Sequence, residues 1–315
     1  MSLSPTSLSL QRCFERFREH PFVLVRPGGN FGDSLIYEGA EHLADEVGLT
    51  WSSLESDEFF ERSFTDDHVL YLHGGGGFNP FYAGRPLRML THALEHHDGP
   101  VIQGPQTFDV STDYLQFVRD ELASVSPSGP AFLFVRERTS HKALTDLLPP
   151  PITLGLDPDT ALHLQRSDVL RTNPRSFFRY TLHAIRKDRE QRDSPFSPQN
   201  SGAHLDPAHY ARSYDHWIRL HANSREIITN RTHSAILGAI LQIPTTLLPN
   251  AYHKNRSIWE YSLQSRGVEW SEWPTSSEDS QHPFLDLKSL PGGERIAQST
   301  KLRRTRLLLR GVPWN

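Results

Sequence analysis

The hydrophobic positions of this chain alternate between two registers. Phe22–Val25, Val69–Leu72, Val101-Ile102, Phe132–Val135 and Ile152–Leu154 are short apolar runs of the kind that form buried strands. Between them the spacing turns helical: Leu35, Ile36, Ala40, Leu43 and Val47 mark one helix from Ser34, and Leu87, Leu90 and Leu94 mark another. Further helices are predicted at 111–123 and 139–148. Strand–loop–helix repetition predicts a mostly parallel sheet covered by helices. Ligands of such sheets sit beyond the carboxyl ends of the strands, so Gly28–Asp33, His73–Asn79, Gln103–Gln106 and Arg136–Arg138 are expected on one rim.

The alternation resumes after the polar stretch Gln165–Ser176. Strands are predicted at Tyr180–Ile185, Glu226–Thr229 and Pro244–Leu248. Helices are predicted through Tyr210, Tyr214, Trp217 and Leu220, over Thr232–Leu241 and over Lys254–Arg266. The expected fold is α/β, with two Rossmann-like units facing each other across a cleft. The boundaries expected are 1–170, 171–290 and a tail over 291–315. Asp193–Leu205 is polar, contains Pro195 and Pro198, and reads equally as a lid or as a surface insertion.

Composition narrows the function classes. The 315 residues carry 33 Lys+Arg and 37 Asp+Glu, a balance of −4, so no basic field exists to hold nucleic acid by phosphate neutralisation. The lone cysteine, Cys13, can close no internal disulfide and build no metal cage, which fits a reducing, cytoplasmic setting. Apolar runs fall far short of the roughly 20 residues that span a bilayer, and Met1–Gln11 lacks the charged start of a secretory signal. Lys301, Arg303, Arg304, Arg306 and Arg310 surround Leu307–Leu309 without an acid. A solvated terminal helix is the main expectation there, and a peripheral contact with the inner face of an anionic membrane is the minority one. No His/Cys/carboxylate spacing points to a metal.

Three segments carry chemistry. Gly28-Gly29-Asn30-Phe31-Gly32-Asp33 joins a strand to a helix, and its glycines do not match the dinucleotide fingerprint. Asp33 there reads as a helix cap or as a ligand group. His73-Gly74-Gly75-Gly76-Gly77 is costly to order unless a ligand must approach the backbone, and it lacks a P-loop ending. Asn230-Arg231-Thr232-His233 opens a helix, where free N–H groups and the dipole favour an anion. Arg231 adds a bidentate fork and His233 a proton donor. Replacing Arg231 is expected to stop turnover and spare the fold. Arg186, just past a strand, and Lys254 are expected to reach the same cleft.

Taken in order, several segments resemble the polysaccharide pyruvyl transferase family. They are Gly29–Asp33, His73–Gly77, Gln103-Gly104-Pro105-Gln106, Val135–Ser140, Arg186–Glu190, Thr229–Leu237, Ile243-Pro244 and Asn250–Lys254. The resemblance covers about residues 21–266. It departs at Thr232, where the family usually has leucine between the arginine and the histidine. It implies a fold like the GT-B glycosyltransferases, phosphoenolpyruvate as co-substrate and no further cofactor. The product implied is a pyruvate ketal on two hydroxyls of a sugar, free or lipid-linked. Arg186, Arg231, Thr232, His233 and Lys254 would bind the donor, with His233, Arg231 and Asp33 catalytic. Asn30, Asp33, His73, Gly75, Gly76, Gln103 and Gln106 would hold the acceptor. A nucleotide-sugar glycosyltransferase of the same architecture is the alternative.

Overall fold

The computed structural model describes residues 8–82, 84–170, 180–191 and 203–273. Its first part runs α1 (Leu10–Arg16), β1 (Phe22–Arg26), α2 (Phe31–Val47), β2 (Trp51–Glu55), α3 (Ser56–Phe59), β3 (Val69–Leu72) and β4 (Gly75–Phe78). It continues α4 (Arg85–His96), β5 (Val101–Phe108), α5 (Thr112–Ala123), β6 (Ala131–Val135), α6 (Arg138–Leu144) and β7 (Ile152–Leu156). These strands form one parallel sheet in the order β2-β1-β3-β5-β6-β7, with β4 also paired to β5. A second parallel sheet has the order β12-β11-β10-β8-β9. It is built from β8 (Tyr180–Ala184), β9 (Ala203–Leu205), β10 (Ser224–Thr229), β11 (Thr245–Leu247) and β12 (Val268–Trp270). Its helices are α8 (Pro207–Tyr210), α9 (Tyr214–Ala222), α10 (Thr232–Leu241) and α11 (Lys254–Ile258), and α7 (Arg166–Val169) precedes it.

The central strands of the first sheet are apolar on both faces because helices cover both. Val25, Leu70, Leu72 and Leu133 pack with Leu87 and Leu90 of α4 and Val118 of α5. Phe22, Leu24, Tyr71 and Phe134 pack on the opposite side with Phe14 of α1 and Ala40 and Leu43 of α2. Helix α2 also serves a third core, in which its Leu35 meets Ala161, Trp217, Ile236 and Ile258. Gly39 makes that double packing possible, since a Cβ there would sit 2.1 Å from the Thr160 carbonyl oxygen.

The structure departs from the sequence reading in several elements. The glycine run does not stay a loop: Gly75–Phe78 is β4, lying along β5. Strand β5 runs to Phe108, so Gln103 and Gln106 belong to a strand whose register on β6 shifts between them. A break in the ladder accommodates Pro105, which has no N–H to donate. Strand β2 escapes the pattern because only Leu54 of its five side chains is buried. The helix expected over Lys254–Arg266 is α11 followed by a π turn over Trp259–Leu263 and a 3-10 turn over Gln264–Arg266. Residues 203–205 of the expected lid form β9, and its residues 193–202 lie outside the described residues, as does the 291–315 tail.

Candidate active site

The carboxyl ends of β1, β3, β8 and β10 lead into one cavity of about 420 Å³, lined by residues of both sheets' loops. On the first-sheet side its wall is Pro27–Asn30, Gly32, Asp33, Gly74–Gly77, Gln106 and Arg136. Arg186, Asp188, Glu190, Arg231–Ser234 and Lys254 line the other side.

The first wall is set by the turn after β1. Gly28 and Gly29 have φ of +84° and +137°, values that side chains rarely tolerate. The Gly28 carbonyl accepts a hydrogen bond from the Tyr37 hydroxyl at 2.5 Å. Asn30 caps α2, and Asp33, at the third helical position, accepts the Asn30 amide at 2.8 Å in a capping box. The other Asp33 oxygen lies 4.0 Å from His233 Nδ1. Asp33 therefore both orders the helix start and faces the histidine.

The second wall centres on the start of α10. Arg231 is its N-cap, and no side chain caps its amides. With Thr232, His233 and Ser234 on the cavity, the positive end of that helix is presented to whatever the cavity holds. Thr232 directs its hydroxyl to Asn255 Oδ1 at 2.7 Å, and Asn255 Nδ2 donates to the Asn230 and Leu248 carbonyls. Thr232 thus fastens α11, which carries Lys254, to the start of α10.

His233 sits between two acids, with Asp33 at its Nδ1 and Asp159 Oδ2 3.6 Å from its Nε2. Asp159 is buried and bonded to Arg136 Nη1 at 2.5 Å. Burial works against the Asp159 charge, but Arg136 and His233 outweigh it and hold the carboxyl well below the usual range. Arg136 also donates from Nε to Thr107 at 2.9 Å, and its Nη1 is 3.4 Å from His233 Nε2. Gly76 completes the cluster: a Cβ there would lie 3.1 Å from Arg136 Nη2 and 3.4 Å from Lys254 Nζ. A side chain at position 76 would crowd both cationic heads.

Every cation here is matched by an acid. Arg231 forks onto Asp206, Nε to Oδ1 at 2.5 Å and Nη2 to Oδ2 at 2.6 Å. Arg186 forks onto Asp188 at 2.8 and 3.0 Å and also donates to Glu190 at 2.7 Å. Lys254 pairs with the same Glu190 oxygen, and the Tyr82 hydroxyl donates to the other at 2.7 Å. Burial opposes the Glu190 charge, yet Lys254 and Arg186 hold its carboxyl down at about 2. Burial pushes the Lys254 ammonium down to about 8 against the pull of Glu190.

Two residues expected at the acceptor lie behind the wall instead. His73 is buried, packs on Tyr37 and Tyr71 with ring centroids 4.6 and 5.1 Å away, and does not line the cavity. Burial, with Arg26 nearby, pushes its pKa well below the ordinary value, so it is a neutral core ring. Gln103 is also buried off the lining and donates to the Leu72 and His73 carbonyls at 3.1 and 3.2 Å, bracing the end of β3. Gln106 does line the cavity: its Nε2 donates to the His73 carbonyl at 3.2 Å while its Oε1 has no partner. Asn30, Asp33, Gly75, Gly76, Arg186, Arg231, Thr232, His233 and Lys254 are brought together on the lining. Sequence reasoning gives Arg136 only a place on the rim and misses Asp159, Asp206 and Tyr82. Arg136 directly follows a fully apolar strand, a signal that would have marked it. Among the described residues, no three His, Cys, Asp or Glu side chains group so as to hold a metal ion, and no helix is long and apolar enough to cross a membrane.

Two parallel sheets meeting at a cavity lined by glycine backbone, paired cations and an uncapped helix start define an α/β protein with a candidate site at the ends of its strands. The sequence matches the polysaccharide pyruvyl transferase family over residues 30–252, and the chain belongs to that family. A solved structure of a functionally uncharacterized protein from Klebsiella pneumoniae is similar in fold, with a TM-score of 0.64 and 21% identity, covering 85% of this chain and 99% of that one. None of the curated proteins matches the sequence.

Proposed function

We propose that the protein transfers the enolpyruvyl group of phosphoenolpyruvate onto two hydroxyls of one sugar in a polysaccharide or its precursor, releasing phosphate and leaving a pyruvate ketal. The observation that carries this reading is the start of α10, whose first turn has no side-chain cap and lines the same cavity as Arg136, Lys254 and the Gly76 backbone. A donor bearing both a phosphate and a carboxylate needs several cationic contacts, and this cavity offers four of them together with a helix N-terminus. In this proposal the chain has two units in a GT-B-like arrangement. The unit over 1–170 takes the acceptor, and the one over 171–290 takes the donor.

The chemistry assigns roles by position. Protonation of the donor's methylene carbon makes its C2 cationic, and one sugar hydroxyl attacks there. The C2–O bond to phosphate breaks, and the second hydroxyl closes the ketal. The two hydroxyl protons balance the new methyl hydrogen and the one that leaves with phosphate. His233, set between Asp33 and Asp159 on the cavity wall, is placed as the acid. Arg231, Arg186, Thr232 and Lys254 hold the donor anion, and the α10 dipole stabilises the departing phosphate. The neutral sugar lies over Gly75 and Gly76, with Asn30, Asp33 and the unpartnered Gln106 Oε1 as hydroxyl anchors. A donor panel tests the reading: consumption of phosphoenolpyruvate with a sugar acceptor supports it, and consumption of a nucleotide sugar instead overturns it.

A further inference from the structure

The four buried cations of the cavity are already matched before any ligand enters, and Arg85, partly exposed at its edge, pairs with Asp57. Arg136, Arg186, Arg231 and Lys254 face Asp159, Asp188, Glu190 and Asp206, four charges against four. A multiply charged anion gains little from a ring already neutralised, so one of these acids must yield if the site is to bind one. Three are built in. Asp159 is buried and held by Arg136 and the Ala161 amide. Glu190 is buried under Lys254, Arg186 and Tyr82. Asp206 is buried, carries the Arg231 fork and also accepts the Lys187 and Ala208 amides at 3.0 and 3.2 Å.

Asp188 is different. Its side chain is 27% exposed, where those of the other three are at 2% or less. It lines the cavity, and one oxygen, Oδ2, lies 3.0 Å from both Arg186 Nη2 and Arg231 Nη2. Its Oδ1 accepts from Arg186 Nε at 2.8 Å and from the Glu190 amide at 3.1 Å. Two guanidinium edges thus converge on one carboxylate that can turn toward solvent. An oxygen of a ligand carboxylate or phosphate would make the same contacts.

We propose that Asp188 is an internal stand-in for the ligand anion, occupying the Arg186–Arg231 fork in the free protein and displaced by the donor's carboxylate or phosphate on binding. The inference rests on the donor reading only in taking the ligand to be an anion. Displacing the aspartate leaves the ring one positive charge in excess, which only an incoming anion compensates, so the fork rejects neutral molecules. The contrary role, in which Asp188 merely orients the two arginines, predicts the opposite effect of removing its charge.

Calorimetric titration of the full chain and its Asp188→Asn variant with phosphoenolpyruvate, inorganic phosphate and pyruvate separates the two roles. The stand-in role predicts that Asp188→Asn binds phosphoenolpyruvate about tenfold more tightly, the scale of one charge-assisted hydrogen bond no longer competed for. Whichever of phosphate and pyruvate gains affinity identifies the donor group that enters the fork. Asp188→Ser, smaller and equally neutral, must show the same gain if the asparagine variant does not fold. Equal or weaker binding of all three probes by the folded variants overturns the proposal. Should phosphoenolpyruvate bind neither protein while phosphate or pyruvate binds the variants more tightly, the displacement role stands and the donor assignment falls.

Discussion

A Cβ on Gly32 would lie 2.7 Å from His233 Nδ1 and 2.9 Å from its Cβ, so the first turn of α2 and the first turn of α10 meet with no room for a methyl group. Gly32 has no special backbone angle, and alanine is the better helix former. Gly32→Ala is therefore expected to displace His233 rather than break α2. The outcome predicted is a fall in kcat/KM of about tenfold or more, a loss near 1.4 kcal/mol, with the thermal midpoint little changed. Steady-state kinetics beside thermal unfolding check it, and full activity would show that the ring of His233 is free to move.

Arg231 answers a different question. The sequence alone suggests that it can be replaced without harm to the fold, but its fork is the counter-charge of buried Asp206. Removing one partner of a buried pair leaves the other uncompensated, at a cost of about 3–5 kcal/mol. Arg231→Ala is thus expected to lose stability as well as turnover. Arg231→Lys keeps one contact, loses the second edge of the fork, and is expected to retain less than about a tenth of kcat/KM. Denaturant unfolding of the two variants separates the contributions: near-wild-type stability of Arg231→Ala would contradict the pairing described.

The pH dependence of the reaction follows from Lys254. Burial brings its ammonium to about 8, so it is charged below that pH and neutral above it. Donor binding that uses its charge is present below about pH 8 and falls with one proton's steepness above it. Lys254→Arg, always charged, is expected to flatten that limb up to pH 10 even where the absolute rate is lower. Unfolding cannot mimic the limb. An unfolded lysine stays protonated to its ordinary value of 10.5, so between about 8 and 10.5 the unfolded chain binds the extra proton and this residue's contribution to stability rises with pH. A kcat/KM profile that is flat across pH 7–9.5 would contradict the role of Lys254.

Much of the architecture was legible because burial on both faces leaves an uninterrupted apolar run. Phe132–Val135 and Val69–Leu72 announce themselves in this way. Trp51–Glu55 does not, since as an edge strand it needs only Leu54 inside, and its serines and glutamate read as loop. The glycines of β4 carry no β-propensity at all; they form a strand because they lie against β5, and no local pattern contains that fact. The site was legible where a motif sits on a strand–helix junction, as at Arg231–His233. It was not legible in His73 and Gln103, whose polar side chains serve the core and the end of β3, because polarity in sequence does not distinguish a ligand group from a satisfied buried one. Nor could spacing show that Asp159, Asp206 and Glu190 would pair with Arg136, Arg231 and Lys254. Those pairings cross 23, 25 and 64 residues of chain.

The central claim is that this cavity splits phosphoenolpyruvate at its C2–O bond and leaves pyruvate on a sugar. Phosphorus and proton NMR of the purified full chain, incubated with phosphoenolpyruvate and a panel of galactosides, glucosides and mannosides, tests it in one tube. The account predicts that one acceptor consumes phosphoenolpyruvate, with inorganic phosphate and a new ketal methyl singlet appearing in equal amounts and His233→Ala abolishing both. Phosphate release without the ketal methyl, or consumption of a nucleotide sugar while phosphoenolpyruvate persists with every acceptor, would contradict it.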